Sequence, residues 1–345
     1  MKKKTLKVPR KKGELTRQLI KEKDLLDTDY VIETEGGFLF IPLKDDPGRI
    51  MDDYLLSFDI VERELKKRPD RINSYKELVE VPKDLEELLP SSFDVIGDVA
   101  IIKLNGEILK YSCEIADALL RFNRNLKKVA LDKGVKGDLR IRDLEPILGG
   151  EDLYTTHVEN NLRFKLDPSK VYFSPRLATE RMRIAKQVTD ERVLDMFAGV
   201  GPFSINIARH GKPTEVVGID LNPECIKYMD LNIKLNSVDD IVEAYLGDSR
   251  EVAPTLGVFD RIIVNLPHSS MDFLDLSLET IEEGVIHLYS IIEDSSVMDF
   301  IRKIHDLAID AGRKVAIDNV REVHKYSPSQ HMMAFDIRSY GRRPV

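Results

Sequence analysis

The sequence is poor in cysteine, in long apolar runs and in clusters of metal-binding side chains. Cys113 and Cys225 are the only cysteines in 345 residues, and no C-x-x-C spacing joins them. A disulfide framework is therefore not expected, and reduced thiols of a cytoplasmic protein are. No stretch approaches the roughly 18 apolar residues that a membrane-spanning helix needs. The segment from Met1 to Gly13 is rich in Lys and Arg but has no apolar core behind it, so it does not read as a secretory signal. No His/Cys cluster implies a metal. The expectation is a cytoplasmic, monomeric, metal-free globular chain long enough for two or three domains.

An overall basic balance is also lacking, since the formal net charge is −8. The distribution is uneven, however. Residues 1–23 carry ten Lys/Arg against two Glu, and residues 121–142 carry eight against two Asp. Acid is concentrated elsewhere, as between Asp272 and Asp299. Two basic blocks on an acidic protein are the footprint expected of nucleic-acid contact surfaces, although solvated charged helices would look the same.

Three regions differ in pattern. Residues 1–70 read as a small N-terminal strand-helix-strand-strand (βαββ) domain. Leu15, Leu19, Ile20 and Leu26 form its helical face, and Gly36-Gly37 forms a hairpin turn. A helical, charged connector is expected over Ile50–Lys67 and Lys76–Leu89. Residues 71–180 read as an α+β domain: a strand pair in "FDVIGDVAIIKL", a helix over 107–125 and a strand in "DLRIRDLEPIL". Two strands and a helix starting near Leu177 then follow in "NNLRFKLDPSKVYFSPRLATERMRIAKQV". Residues 181–345 alternate strand and helix. Strands are expected at 193–197, 215–220, 242–246, 261–265, 285–291, 314–317 and 331–337, with Pro202 and Pro223 opening helices and Gly211, Gly284 and Gly312 at helix ends. Such alternation specifies an α/β, Rossmann-like, mostly parallel sheet with helices on both faces.

The first of these strands runs into V-L-D-M-F-A-G-V-G-P-F, residues 193–203. In an open α/β sheet, ligands bind beyond the carboxyl ends of the strands, so Gly199 and Gly201 lie where a ligand approaches the backbone. A dinucleotide fingerprint needs a third glycine for its pyrophosphate; here that position is Ser204. The next strand ends in Asp220, nineteen residues past Gly201, where a carboxylate accepts from ribose hydroxyls. The third ends Gly247-Asp248-Ser249, placing an acid to accept from an adenine amine. A nucleoside without phosphates fits this set, and S-adenosylmethionine is such a ligand. Helix capping accounts for Asp220 or Asp248 singly, but less readily for the set.

The fourth strand leads into Asn265-Leu266-Pro267-His268. An Asn-x-Pro turn beside a methyl donor suits a planar nitrogen acceptor: the Asn amide and an exposed turn carbonyl read a base edge while proline stiffens the turn. A protonated ring nitrogen such as guanine N1 further requires a general base, and a cation for the charge that moves to O6. Glu180, among Arg176, Arg181 and Arg183, is the candidate base. Arg140 and Arg142 are equal candidates for the cation.

"GDLRIRDLE", "KVYFSPRLATERMRI", "VLDMFAGVGPFSI", "GIDLNPECIKYMDLNIKLN", "GDSREV" and "NLPH" resemble the archaeal and eukaryotic type of tRNA guanosine-37 N1-methyltransferase. The resemblance runs from the N-terminal module to the C-terminus. It implies a class I S-adenosylmethionine-dependent methyltransferase sheet, preceded by an α+β domain and a small N-terminal domain that touches the tRNA elbow. It implies Glu180 as general base, Arg140 rather than Arg142 at O6, and Asn265 and Pro267 as the base-and-cofactor turn. Arg181, Gly199, Gly201, Asp220, Leu221, Asp248, Ser249 and Asn265 fall on cofactor positions. The partner implied is tRNA, through its anticodon loop and elbow. Relatives that methylate a tricyclic wyosine precursor, or move the aminocarboxypropyl group of the same cofactor, share much of this pattern. Leu266 and His268 match the guanosine enzyme.

Overall fold

The computed structural model describes residues 2–46, 58–68, 72–136 and 141–342. They form two compact units, 1–77 and 78–345.

The first unit is a four-stranded antiparallel sheet of β1 (Lys2–Pro9), β2 (Glu33–Glu35), β3 (Phe38–Pro42) and β4 (Asp59–Glu64), ordered β2-β3-β1-β4. Helix α1 (Gly13–Glu22) lies between β1 and β2 in sequence, and Leu6, Val8, Ile20, Ile41 and Leu43 make the core. The Gly36-Gly37 turn has positive φ at both residues (58° and 81°), as a tight hairpin needs. One expectation is corrected here: the part of the supposed connector helix Ile50–Lys67 that is described contains a strand. Its charges alternate in register with β1, so that Lys2 faces Glu64, Lys4 faces Glu62 and Lys7 faces Asp59. Opposite charges across an antiparallel pair stabilise it, and this pairing also offsets part of the basic N-terminal block. Lys76–Leu89 contains two short 3₁₀ turns, Tyr75–Leu78 and Lys83–Leu88, in place of a continuous helix.

The second unit opens with a sheet of β5 (Asp94–Ile96), β6 (Val99–Ile102), β7 (Lys128–Lys136) and β8 (Ile141–Leu148), in that order. Helix α2 (Ser112–Phe122) makes the crossover between the parallel pair β6 and β7. A hairpin of β9 (Thr155–Glu159) and β10 (Leu162–Leu166) turns on Asn160 and Asn161, both at positive φ. The second strand expected in the following segment is absent: Val171–Ser174 leaves an Asp167-centred turn, with Asp167 accepting from the backbone of Ser169, Lys170 and Val171. Helix α3 (Ala178–Ala185) follows.

The main sheet contains β11 (Arg192–Asp195), β12 (Glu215–Asp220), β13 (Val242–Leu246), β14 (Phe259–Val264), β15 (Ile281–Ile292), β16 (Arg313–Lys325) and β17 (His331–Arg342). Its order is β13-β12-β11-β14-β15-β17-β16, with only β17 antiparallel to its neighbours. Helices α4 (Pro202–His210), α5 (Pro223–Leu235), α6 (Ser249–Val252), α7 (Leu274–Thr280) and α8 (Val297–Asp310) connect the strands. Separate apolar clusters fill the two faces: Phe203, Ile205 and Met229 belong to one, and Phe273, Leu278 and Ile304 to the other. Gly284 lies inside β15 rather than at a helix end, where a Cβ would come within 1.9 Å of the Asp260 carbonyl oxygen. Chain order reverses between β11 and β14, and the tips of these strands open into a cavity.

Candidate functional site

The cavity measures about 860 Å³ and has two chemically different ends. One is made by the loops after β11, β12 and β13. Gly199 and Gly201 have φ of 57° and 84°, in the left-handed region that favours glycine. At Gly201 a Cβ would also press on Met229 and Ile205 at 3.0 and 3.1 Å. Among the described residues, the Tyr172 carbonyl oxygen alone comes near Gly199, at 3.8 Å, so backbone there faces open space. The Gly199 N–H donates to Asp220 Oδ2 (2.8 Å) and the Asn222 N–H to Asp220 Oδ1 (2.9 Å). Asp220 thus braces the loop, and with the Cys225 side chain also bonded to it the carboxylate still keeps acceptor capacity for a ligand hydroxyl. Burial raises its carboxyl pKa above the ordinary value.

Asp248 caps α6, its Oδ1 accepting from the Arg250 N–H at 2.8 Å. It lines the cavity as well, so capping and ligand contact are compatible there. Asn222, not Asp220, caps α5. Ser249 Oγ donates to the Met196 carbonyl (2.6 Å) and ties the third strand tip to the first. Phe197 and Leu221 add apolar wall. Behind the loop, Asp195 is 1% exposed and accepts from Ser204 Oγ, while its Oδ1 has no partner among the described residues. Burial pushes its carboxyl up to about 7.

After β14, the Pro267 carbonyl accepts from the Ile291 N–H at 3.0 Å and the Leu266 carbonyl from the Ser269 N–H at 3.0 Å. The Pro267 carbonyl, which also accepts from Ser290 Oγ at 3.3 Å, is thus used within the protein and fastens the turn to β15, whereas the Leu266 carbonyl keeps a second lone pair. The Asn265 side chain differs: its Oδ1 is buried and finds no partner among the described residues. An orphaned acceptor of this kind is costly unless a ligand satisfies it.

Arg181 lines the cavity from α3 and is 2% exposed. Its guanidinium donates to Glu159 (2.5 Å) and to the Ser174 carbonyl (2.9 Å) and lies against the Phe173 ring. Glu180, one residue earlier, is not part of the cavity wall. Its buried carboxylate accepts from Arg183 Nη2 (2.8 Å) and the Tyr289 hydroxyl (2.7 Å) and pairs with Arg321. Arg183 also bridges to Asp336, which accepts from His287 Nδ1 at 2.6 Å. Arg140 lies outside the described residues.

The other end of the cavity carries Asp94, Arg142, Arg176, His324 and Tyr326. Arg142 donates to one oxygen of Asp94 (2.8 Å), and Arg176 to the other through Nε and Nη2 (3.1 and 2.8 Å). Burial opposes the charge on Asp94, but the two guanidinium groups outweigh it and hold the carboxyl below its usual range. Tyr326 meets His268 edge to face, with ring centroids 5.7 Å apart. Sequence reasoning missed Asp94, His324 and Tyr326, which lie far apart along the chain and carry no local motif.

A strand order reversing beside a glycine loop, with acids on the next two strand tips, defines a nucleoside-binding class I methyltransferase fold. Family profiles place the chain more closely. Residues 155–317 match the TRM5/TYW2 methyltransferase domain, 75–152 the TYW2 N-terminal domain and 5–51 the tRNA methyltransferase 5 N-terminal domain. The chain is 43% identical to the tRNA (guanine(37)-N(1))-methyltransferase Trm5b of Pyrococcus abyssi, covering 96% of this chain and 98% of that one. The crystal structure of P. abyssi Trm5b superposes with a TM-score of 0.80 at 42% identity, over 98% of this chain and 99% of that one. Methanocaldococcus jannaschii Trm5 in complex with adenosine gives 0.66 at 35% identity, over 98% and 100%. The complex of aTrm5 with tRNALeu gives 0.75 at 35%, over 97% and 99%. The chain belongs to the TRM5/TYW2 methyltransferase family.

Proposed function

We propose that this protein methylates N1 of guanosine 37 in tRNA with S-adenosylmethionine, and that it does so in the cytoplasm. The observation that carries the reading is the unpartnered Asn265 Oδ1, in one cavity with Asp220 and Asp248. A nucleoside held on the acidic strand tips and a base edge held on Asn265 then share one enclosed space. Two relatives similar over nearly the whole chain bear the matching activity in their names.

The cavity fits the donor on its own terms. Gly199 leaves open space beside backbone, Asp220 keeps spare lone pairs, and Arg250, the cation beside Asp248, is engaged with it at 3.6 Å. When bound, S-adenosylmethionine supplies a sulfonium methyl group open to nucleophilic attack. Asp220 holds ribose hydroxyls, Asp248 and the backbone at Ser249 read adenine, and Arg181 with Gly201 keeps the loop and its flank in shape. Asn265 accepts from the base edge and Pro267 fixes the angle of that turn, so the protein works chiefly by positioning. The base must leave the anticodon-loop stack to reach this depth.

In this reading Glu180 takes the N1 proton and Arg140 steadies the charge on O6. With Arg183, Arg321 and Tyr289 on its carboxylate, Glu180 accepts a proton only as one donor withdraws. Arg321, with 29% of its side chain exposed, is the partner free to do so.

Mass mapping of nucleosides from transcripts carrying G37 or A37 tests the proposal. The expected product is N1-methylguanosine at position 37 of the G37 transcript alone. Methylation of A37, or a product bearing the aminocarboxypropyl group, would refute it.

A further inference from the structure

Cationic side chains are in excess in one part of the cavity. Asp220 and Asp248 are matched by Arg181 and Arg250 at the donor end, whereas Arg142, Arg176 and Lys103 outnumber Asp94 and Asp132 at the other. Base edges are neutral, so recognition of guanine alone does not require a cationic excess there. The arrangement of the arginines is specific. Arg142 comes from β8 and Arg176 from the turn that leads into α3, yet both donate to the two oxygens of one carboxylate. That carboxylate is only 14% exposed at its side chain, and it fixes two guanidinium groups in neighbouring positions. Among the described residues, Arg142 Nε and Nη1 and Arg176 Nη1 find no acceptor, so each arginine keeps N–H groups to spare after Asp94 is served. Two oriented guanidiniums sharing one carboxylate leave a local charge of about +1. This suits a singly charged oxyanion that presents two oxygens, since charge-assisted guanidinium–phosphate bonds are short and directional.

We propose that Arg142 and Arg176, preset by Asp94, bind a phosphodiester adjoining nucleotide 37 of tRNA. The inference rests on the reading of tRNA as substrate. It gives the cavity mouth a task distinct from reading the base: gripping the backbone beside the nucleotide drawn inward. Asp94 is then a positioning residue, acting through the arginines.

The test is a cycle between protein and RNA, using the full-length chain. Affinity for tRNA is measured over a range of salt for wild type, Arg176→Gln and Arg176→Lys. Each is tested with an unmodified transcript and with transcripts bearing a neutral methylphosphonate on the 5′ or the 3′ side of nucleotide 37. Arg176→Gln is expected to weaken binding about tenfold or more at low salt, as loss of a charged hydrogen-bonding group does. It should also reduce the salt slope by about one. One of the two methylphosphonates should cost wild type a similar factor and Arg176→Gln far less, because the same contact is then already gone. Arg176→Lys keeps the charge and should retain most of the slope. Losses that add independently at both linkages, or an equal slope change for Lys and Gln, would overturn the proposal. A cofactor carboxylate is the other oxyanion within reach of this chemistry. Weaker S-adenosylmethionine binding by Arg176→Gln with unchanged tRNA affinity would assign the arginines to that group and likewise overturn it. Wild-type methylation of G37 is followed in parallel: an unmethylated transcript sinks the functional reading itself, whereas a methylated one with an additive cycle sinks only the phosphodiester site.

Discussion

The two ends of the cavity are built in opposite ways. At the donor end, Gly199, Asp220 and Asp248 follow three strands of a single sheet, and hydrogen bonds such as Gly199 N–H to Asp220 and Ser249 to Met196 lock neighbouring tips together. At the acceptor end, Asp94, Arg142, Arg176 and Tyr326 come from β5, β8, the turn before α3 and the segment after β16. They meet only because those pieces pack. The donor end is a property of the fold, whereas the acceptor end is a property of the assembly. Changes at the first should disturb the cofactor alone, and changes at the second the RNA.

The sharpest break in this division is expected at Glu180, which belongs to neither wall. As the proton acceptor, Glu180→Gln should lower the single-turnover rate by about 10²–10⁴, the range for general-base catalysis, with S-adenosylmethionine affinity preserved. An unchanged rate would reduce Glu180 to an anchor for Arg183 and Arg321. Next, Asp220→Ala should weaken S-adenosylmethionine about ten- to a hundredfold in a calorimetric titration, since it removes a charged acceptor and unbraces Gly199. Its affinity for tRNA should stay at the wild-type level.

Deleting residues 1–77, the whole first unit including β4, should weaken tRNA about tenfold or more at low salt. S-adenosylmethionine binding should persist. Equal tRNA affinity with and without the unit would deny it a contact.

The smallest effect is on stability. The Asp195 carboxyl, raised by burial to about 7 from 3.8, keeps its proton in the folded chain after the unfolded chain has lost it. Stability therefore falls as pH rises between about 4 and 7. Asp195→Asn should flatten that part of the profile in chemical denaturation. Asp336 has the opposite sign: burial opposes its charge, but bonds from His287 and Arg183 hold its carboxyl well below the usual range. Its contribution is present above the unfolded pKa and lost as pH falls.

The same division explains what could be read from the sequence. Periodicity and the Gly199/Gly201 loop place the parallel sheet and its donor-end residues, because each lies within a few positions of its own strand. The strand Asp59–Glu64 reads as helix until its charges are paired with those of β1, and even the nearest of those pairs, Lys7 with Asp59, is 52 residues apart in sequence. Asp94 carries no signal at all, since its two arginine partners are 48 and 82 residues away. The Pro267 carbonyl after β14 looks available in sequence and is taken up by Ile291 and Ser290 in the fold. Distance along the chain, more than residue type, set the limit.

The most direct test of two ends with separate tasks is a crossed titration. S-adenosylmethionine and tRNA are each titrated calorimetrically into wild type, Asp220→Ala and Arg176→Gln. The account predicts that Asp220→Ala loses the cofactor and keeps tRNA, while Arg176→Gln does the reverse. Loss of both ligands by both variants, with each still folded, would contradict it.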